Sequence, residues 1–146
     1  MDVIKDKYFM QRAYQQAVEA LEDGEIPVGA VVVCNDKIIA KAHNLTERLN
    51  DVTAHAEMQA ITAAAEYLGG KYLKDCTLYV TLEPCLMCAG ALAWSQISRI
   101  VYGASDDHRG YTRVKENILH PKTIVENGIM EEECSKIVKD FFKKKR

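Results

Sequence analysis

Apolar residues recur at helical or strand spacing along most of the chain, and this spacing predicts an alternation of helices and strands. Over residues 6–23, apolar side chains return about every four positions, which predicts an amphipathic helix. Gly24 follows at the position of a C-terminal cap. Two β-branched runs then flank Asn35 and Asp36, which predicts a β-hairpin with a short turn.

An unusually alanine-rich segment comes after a polar, irregular stretch at residues 44–52. This segment predicts a helix over 54–68, with Thr53 as the N-cap and Gly69 and Gly70 as the stop. Because alanine side chains are short, we expect this helix to approach a sheet closely.

The second half of the chain predicts strands and helices in alternation, although residues 105–122 follow neither pattern. The predicted elements are a strand over 76–82, a helix from about Cys85 to Ser95, a strand over 98–104, a strand near 123–126 and a helix from about 130 to the end. Strand–helix–strand units favour parallel neighbours with helices on both faces, and the opening hairpin makes the sheet mixed. We therefore expect an α/β fold, a three-layer α/β/α sandwich with a mixed sheet of about five strands.

Length and composition are consistent with this fold. The chain has 146 residues, which suits one domain over 1–146, and 48% of them are apolar, enough for a core without disulfides. The five cysteines are an odd number, and neither a hydrophobic leader nor an apolar run of ~18 residues is present. The sequence therefore predicts a soluble, cytoplasmic protein with reduced thiols and no membrane partner.

Charge is unevenly distributed along the chain, although the net charge is only −2. Residues 136–146 hold six basic side chains against Asp140 alone, a local charge of +5. Two interpretations stay open, a solvated helix end whose cations oppose the helix dipole, or a contact with an RNA backbone. The candidate RNA contacts are Lys143, Lys144, Lys145 and Arg146.

Two short motifs carry candidate chemistry at the starts of two predicted helices. One comprises His55, Ala56 and Glu57, and the other contains Cys85 and Cys88, which lie three residues apart and so share a helix face. Both helix starts present free backbone N–H groups and positive dipole ends, which favour thiolates. The cysteines also follow a predicted strand, at the end where open α/β sheets bind ligands.

Two thiolates and one imidazole predict a zinc site made by His55, Cys85 and Cys88. Three protein ligands leave the fourth tetrahedral position open, which is typical of a catalytic zinc with water as the nucleophile. Because such a site is formally neutral, it lowers the pKa of water only modestly, and a base is needed. Glu57 can reach the same cavity and remove a proton from the zinc-bound water. It can then give that proton to a ring nitrogen of the substrate and later to the leaving ammonia. This chemistry is hydrolytic deamination of an amino-substituted heterocycle.

The cysteine motif is also compatible with two other kinds of site. A C-x-x-C motif alone suits a thioredoxin-like redox pair, but the histidine and glutamate at 55–57 argue against that function. A structural zinc would need a fourth ligand, and no remaining candidate has a partner at ligand spacing. We expect these candidates to be core thiols or ordinary polar residues: Cys34, Cys76, Cys134, His43, His108 and His120.

H-A-E followed by P-C-x-x-C is the signature of the cytidine deaminase superfamily. Within it, the chain from about Tyr8 to Arg146 resembles the bacterial tRNA-specific adenosine deaminases, which make inosine at the anticodon wobble position. The stretches that carry the resemblance are GEIPVGAVVV, Asn44 after the hairpin, DVTAHAE, TLEPCLMCAGA, SRIVYGASD and the ending EEECSKIVKDFFKKKR. Guanine and cytidine deaminases share only the zinc motifs, so the ending is the discriminating stretch.

This resemblance implies a substrate, a cofactor and partners. The substrate is adenosine at the wobble position of a tRNA anticodon, and the cofactor is one Zn²⁺ per subunit. The partners are the anticodon stem-loop, met by the basic C-terminal helix, and a second copy of the chain in a homodimer. Asn44 is implied to hydrogen-bond the flipped adenosine, and Asp106 to contact a neighbouring ribose. The implied apolar pocket is formed by Val28, Ala54 and Leu82.

One loop departs from the family pattern. Residues 111–120 lack the small, glycine-rich sequence common there, which affects the local RNA contacts and not the chemistry. Two other functions stay open from the sequence. One is a deaminase of a free nucleobase or nucleoside, of the guanine or cytidine type, and the other is a non-catalytic zinc-binding module.

Overall fold

The computed structural model describes residues 3–145, which form a five-stranded mixed sheet with helices on both faces. In chain order the elements are α1 Val3–Glu22, β1 Gly29–Cys34, β2 Lys37–His43, α2 Ala56–Leu68, β3 Cys76–Leu82, α3 Leu86–Ser95, β4 Arg99–Ala104, β5 Ile124–Asn127 and α4 Glu131–Lys144. A short 3₁₀ turn, Tyr111–Arg113, lies in the loop between β4 and β5. Within this described part of the chain, no helix is both long and apolar enough to cross a membrane.

The strands follow the spatial order β2-β1-β3-β4-β5. β1 pairs antiparallel with both β2 and β3, whereas β3, β4 and β5 run parallel. The prediction of a three-layer α/β/α sandwich with a mixed five-stranded sheet is therefore confirmed. Because α3 is the crossover between the parallel strands β3 and β4, it begins at the edge of the sheet where β3 ends.

The hairpin between β1 and β2 turns on two residues with a left-handed backbone. Asn35 has a φ of 51° and Asp36 a φ of 60°, and Cys34 pairs with Lys37 on either side of them. Asn and Asp tolerate this conformation, and a two-residue turn of this kind matches the twist of the strands. The predicted hairpin is confirmed.

Side chains alternate along β1 and divide the core into two layers. Val31 and Val33 pack with Phe9 and Met10 on the face covered by α1 and α4. Gly29 lets α1 lie close to that face, because a methyl group there would overlap the helix backbone. The opposite face packs against α2 and α3, mostly through small side chains: Ala30, Val32, Ala56, Ala60, Ala64 and Ala89. As predicted from its composition, α2 approaches the sheet through alanines.

The start of α2 differs from the prediction. The helix begins at Ala56 with His55 as its N-cap, so Thr53 is not the cap. The Thr53 backbone N–H and hydroxyl both donate to Asp51 Oδ1, at 2.8 and 2.7 Å. This local turn engages the hydroxyl before the helix can use it. The expected stop is confirmed, with Gly69 in the left-handed region at a φ of 73°.

A buried ion pair joins α1 to the sheet. Arg99 on β4 donates to both carboxylate oxygens of Asp6, at 2.8 and 2.7 Å, and Tyr79 on β3 donates to Asp6 Oδ1 at 2.6 Å. The Arg99 guanidinium holds the pKa of the Asp6 carboxyl below its ordinary value. The more exposed Glu126 on β5 also contacts Arg99 Nη2, at 3.1 Å. The paired, charge-assisted bonds fix the angle at which α1 lies on the strands.

Asp6→Asn should lower the free energy of unfolding by about 3–5 kcal/mol, because it leaves a buried arginine without its main charge partner. Since the folded-state pKa of Asp6 is depressed, this stabilisation is present above the ordinary carboxyl pKa and is lost as the pH falls through the folded value. Urea denaturation at several pH values should therefore show the two proteins converging in acid.

The matched control is Glu126→Gln, which removes the more exposed partner of the same arginine. Its effect should be under ~1 kcal/mol, because solvent screens that pair. Equal losses of stability in the two variants, or a loss for Asp6→Asn that does not depend on pH, would contradict this account.

Candidate metal centre

The N-termini of α2 and α3 lie together where β3 ends. His55 is the N-cap of α2, and Cys85 is the N-cap of α3, three residues after β3. Neither side chain makes a capping hydrogen bond with its own helix. The imidazole and the thiol are therefore free to face each other, and the N-terminal dipole ends of both helices point toward them.

His55, Cys85 and Cys88 converge, as predicted, with their ligand atoms all within 4.8 Å of one another. His55 Nδ1 lies 3.6 Å from Cys85 Sγ and 3.4 Å from Cys88 Sγ. A tetrahedral zinc with Zn–S bonds of about 2.3 Å and a Zn–N bond of about 2.0 Å separates its nitrogen and sulfur ligands by about 3.5 Å. The donor set and its spacing therefore fit zinc.

Repulsion between the two sulfurs also favours a cation at this position. The contact with Cys88 lowers the pKa of Cys85 to about 4, so Cys85 is a thiolate at neutral pH. The contact with that thiolate, together with burial, raises the pKa of Cys88. A second thiolate forms here only if a positive charge offsets the first, and a divalent metal supplies that charge.

Glu57 lies in the first turn of α2, two residues after His55, and is only 4% exposed. Burial raises the pKa of Glu57 to about 7, and the carboxyl group contacts the Cys88 thiol. A carboxyl group with this pKa both accepts and releases a proton near neutrality, as general acid–base chemistry requires. The carboxylate is beside the three ligand atoms and is not a member of that group.

His55, Glu57 and Cys85 line a cleft of about 950 Å³ whose walls also include residues of α4. Four of the expected substrate contacts also line it, namely Val28, Asn44, Leu82 and Asp106. The fifth, Ala54, is buried and is not part of the cleft wall. The carbonyl oxygen of Ala54 accepts hydrogen bonds from Leu45 N and Gln59 Nε2, so this residue fastens the loop before α2 instead.

Asn44 is held in one orientation at the edge of the cleft. Its amide nitrogen donates to Glu25 Oε1 at 3.4 Å and to Thr46 Oγ1 at 3.2 Å. Glu25 is fully buried and also accepts from the backbone N–H groups of Glu47 and Arg48. Among residues 3–145 no donor is bound to Asn44 Oδ1, so this oxygen is the amide atom left for a ligand.

Asp106 organises the part of the cleft rim formed by the loop after β4. Its Oδ1 atom accepts from the backbone N–H groups of His108, at 3.0 Å, and Arg109, at 3.1 Å. The resulting turn keeps the side chains of both residues exposed on the cleft. The second carboxylate oxygen is left for an outside partner.

The C-terminal cations divide between two surfaces of α4. Lys143 lines the cleft, together with Lys139 and Phe142, whereas Lys144 and Lys145 line a separate groove beside α1. Arg146, the fourth expected RNA contact, lies outside the described residues. Of the three lysines expected to contact RNA, only Lys143 therefore lines the cleft.

Several residues in and beside the cleft were not predicted from the sequence. In the sequence, Glu25 and Glu83 each adjoin an apolar run, and this position could have indicated that their carboxylates are buried. Lys139 and Lys143 are four apart, which is the spacing of one helix face and could have separated them from the neighbouring lysines. Arg109 carried no local signal, because its position depends on the fold of the loop after β4.

The other cysteines and histidines form no second metal site among residues 3–145. Cys76 and Cys134 are buried in the core, as expected, and Cys34 is half-buried. His108 is exposed on the cleft rim. A structural zinc with a fourth protein ligand is therefore not supported.

Comparison with known proteins gives consistent results. Residues 3–104 match the family described as the cytidine and deoxycytidylate deaminase zinc-binding region. A tRNA-specific adenosine deaminase of Aquifex aeolicus is 46% identical over 144 residues, covering 96% of this chain and 95% of that protein. A solved structure from work on A-to-I editing by tRNA:A34 deaminases at the wobble position is 41% identical, with a TM-score of 0.84, covering 89% of this chain and 98% of that one. The guanine deaminase of Bacillus subtilis is 43% identical, with a TM-score of 0.64, covering 67% of this chain and 63% of that one.

Cys88→Ala should abolish stoichiometric zinc binding and lower the melting temperature, because two ligands remain and the half-buried Cys85 thiolate loses the metal as its charge partner. Metal analysis should fall from one zinc per chain to near zero. A chelator should lower the melting temperature of the wild type and leave that of the variant unchanged. Cys34→Ala is the control and should keep its zinc; a Cys88→Ala protein that also keeps one zinc per chain would contradict this ligand set.

Proposed function

This chain belongs to the cytidine and deoxycytidylate deaminase family, and from that premise we propose that it converts adenosine to inosine at the wobble position of a tRNA anticodon. The observation that carries the proposal is one continuous cleft. Its walls include His55, Glu57 and Cys85 of the metal centre as well as Lys139 and Lys143 of α4. The relatives at high coverage, named tRNA-specific adenosine deaminases, supply the substrate class.

When bound, one Zn²⁺ per chain supplies an activated water molecule that acts as the nucleophile at C6 of adenine. A Glu57 carboxylate oxygen accepts the proton that this water gives up. Glu57 then passes that proton to the ring nitrogen beside C6 and afterwards carries a second proton, from the hydroxyl group added at C6, to the departing amino group, so that adenosine and water become inosine and ammonia. The burial of Glu57 suits this cycle, because it raises the carboxyl pKa to about 7.

The walls of the cleft suit a base that has been turned out of its stack. Val28 and Leu82 offer apolar surface in the cleft that the metal centre lines, and Asn44 offers one fixed acceptor oxygen. A volume of about 950 Å³ is near the upper end for small-molecule sites, so the cleft has space for nucleotides next to the base. A loop nucleotide costs less to extrude than one in a duplex.

The cationic side of the cleft suits an RNA backbone. Lys139 and Lys143 on α4 and Arg109 in the loop after β4 give three cations on the cleft, and the exposed Phe142 adds an aromatic face next to Lys143. We expect most of the binding energy for the stem-loop to come from such contacts. Free nucleosides lack them and should be poor substrates.

We also propose that the chain is a homodimer located in the cytoplasm. The exposed side of α3 carries a group of apolar side chains that a partner would cover, with Trp94 at 85%, Leu86 at 48% and Met87 at 37% exposure. Thiolate ligands and a tRNA substrate suit a reducing cytoplasm. Sedimentation of the zinc-loaded protein distinguishes a dimer from a monomer.

The test of the substrate compares one anticodon stem-loop carrying A at the wobble position with the same loop carrying C, alongside free adenosine, cytidine and guanine. Digestion to nucleosides and mass spectrometry should detect inosine from the A-bearing loop only. Turnover of free guanine or cytidine, with none of the A-bearing loop, would move the chain to the free-base branch.

The alternative of a guanine deaminase has one observation in its favour, the 43% identity to the Bacillus subtilis enzyme. That likeness covers 67% of this chain, whereas the Aquifex relative matches 96% of it. The lysines of α4 line the cleft and suit the phosphates of an RNA loop, which a free base does not have. This favours the tRNA substrate.

The division of the C-terminal lysines gives a second prediction. Replacing Lys139 and Lys143 together by Gln should raise the KM for the stem-loop and make binding less dependent on salt. The logarithmic salt slope should fall by about 0.7–0.9 for each phosphate that the protein no longer neutralises. The matched variant, with Lys144 and Lys145 replaced by Gln, should stay close to wild type. Zinc content should not change in either variant. Equal effects of the two pairs would show that position on α4 is unimportant and only total charge matters.

A further inference from the structure

Glu83 is a buried carboxylate that the proposed chemistry does not use. It lies between Leu82 and the Pro84–Cys85 segment that starts the metal-binding helix, lines the cleft beside Leu82, and is 4% exposed. Both of its oxygens accept hydrogen bonds from the loop after β4. Oε1 accepts from Asp106 N at 3.0 Å, and Oε2 accepts from Thr112 N at 3.0 Å and Thr112 Oγ1 at 2.7 Å.

The backbone of the same two segments is also paired. Glu83 N donates to Ala104 O at 2.8 Å, Tyr111 N donates to Pro84 O at 3.0 Å, and Cys85 forms an isolated antiparallel bridge with Gly110. Gly110 leaves the space in which the carboxylate sits, because a methyl group on Gly110 would overlap it. The carboxylate thus fastens both ends of the 106–112 loop to the segment that carries Cys85.

This loop forms part of the cleft rim. Between the two anchors at Asp106 and Thr112 lie His108 and Arg109, whose side chains are exposed and border the cleft. Because these side chains are exposed, the position of the rim depends on the loop backbone. A buried acceptor with three donors is well suited to holding that backbone, because each donor would be costly to leave unpaired.

Resting on the function proposed above, we propose that Glu83 is a positioning residue for the RNA: it sets the distance between the metal-binding segment and the rim that contacts nucleotides flanking the target base. It acts through the backbone N–H groups of Asp106 and Thr112 and does not touch the base itself. The substrates that depend on Glu83 are therefore RNA loops, because in these the nucleotides on either side of the target adenosine contact the rim.

Glu83→Gln tests this role with little change of volume. An amide has one acceptor oxygen, and its NH₂ group would face an N–H donor of the loop, so at least one of the two anchors is broken. We expect the KM for the A-bearing stem-loop to rise ~10–100-fold, since a misplacement of about 1 Å can cost that much, with kcat changed far less. The salt slope of binding should also become shallower, by about 0.7 for each single-strand phosphate that the protein no longer neutralises.

Glu66→Gln is the matched control, because Glu66 is an exposed carboxylate on α2 that does not line the cleft. It should leave KM, kcat and salt slope unchanged. Zinc content should stay at one per chain in both variants. A purely structural function of Glu83 would instead lower the melting temperature and the active fraction, and would leave KM and the salt slope as in wild type.

Gly110→Ala gives an independent test through the same contact. The added methyl group displaces the carboxylate, so this variant should reproduce the raised KM. Glu83→Ala removes the group that the methyl would overlap, so the double variant Glu83→Ala/Gly110→Ala should be no worse than Glu83→Ala alone. Additive effects of the two substitutions would overturn the proposal, even if Glu83→Gln itself proved too unstable to assay.

The two possible failures are distinguishable. If wild-type protein makes no inosine in the stem-loop, the proposed function is wrong and the role of Glu83 in RNA positioning is wrong with it. If wild type is active and Glu83→Gln matches Glu66→Gln in KM and salt slope, only the positioning role is overturned.

Discussion

Two thiolates three residues apart on one helix repel each other, and only a cation between them lets both persist in a buried site. This constraint governs the architecture around Cys85 and Cys88. The third ligand, His55, comes from a segment 30 residues earlier, so the starts of α2 and α3 have to lie side by side. The parallel crossover from β3 to β4 brings α3 to the correct edge of the sheet, and the alanines of α2 let the second helix lie close beside it.

The same arrangement sets the environment of Glu57. Glu57 lies two positions after a metal ligand, on the first turn of an alanine-packed helix, where it is buried beside the cysteine thiols. Enclosure raises its pKa toward neutrality, and the open side of the cleft gives it access to a substrate. The closeness of α2 to the sheet therefore serves both the metal geometry and the proton chemistry.

Features encoded by adjacent residues could be predicted from the sequence, whereas most features created by distant contacts could not. The Asn35 and Asp36 turn and the stop at Gly69 follow from local pattern. The convergence of His55 with the C-x-x-C motif spans 30 residues, and it could be predicted because the two motifs together supply the ligands of one zinc ion. The prediction of Thr53 as a cap is wrong, because Asp51 competes for its hydroxyl. The loop anchored by Glu83 depends on a contact across 29 residues, which no local pattern records. The roles of individual site residues and the assignment of the chain to one domain stay predictions.

The central claim is that metal binding and proton transfer are separate tasks, the first belonging to His55, Cys85 and Cys88 and the second to Glu57. Glu57→Gln keeps the shape of the side chain and removes its ability to carry a proton. Zinc content and inosine formation in the A-bearing stem-loop should be measured on the same preparation. We expect one zinc per chain and a loss of turnover of at least about 10²–10⁴-fold, the contribution of a general acid–base group. A variant that arrives without zinc, or that keeps most of its rate, would contradict the account.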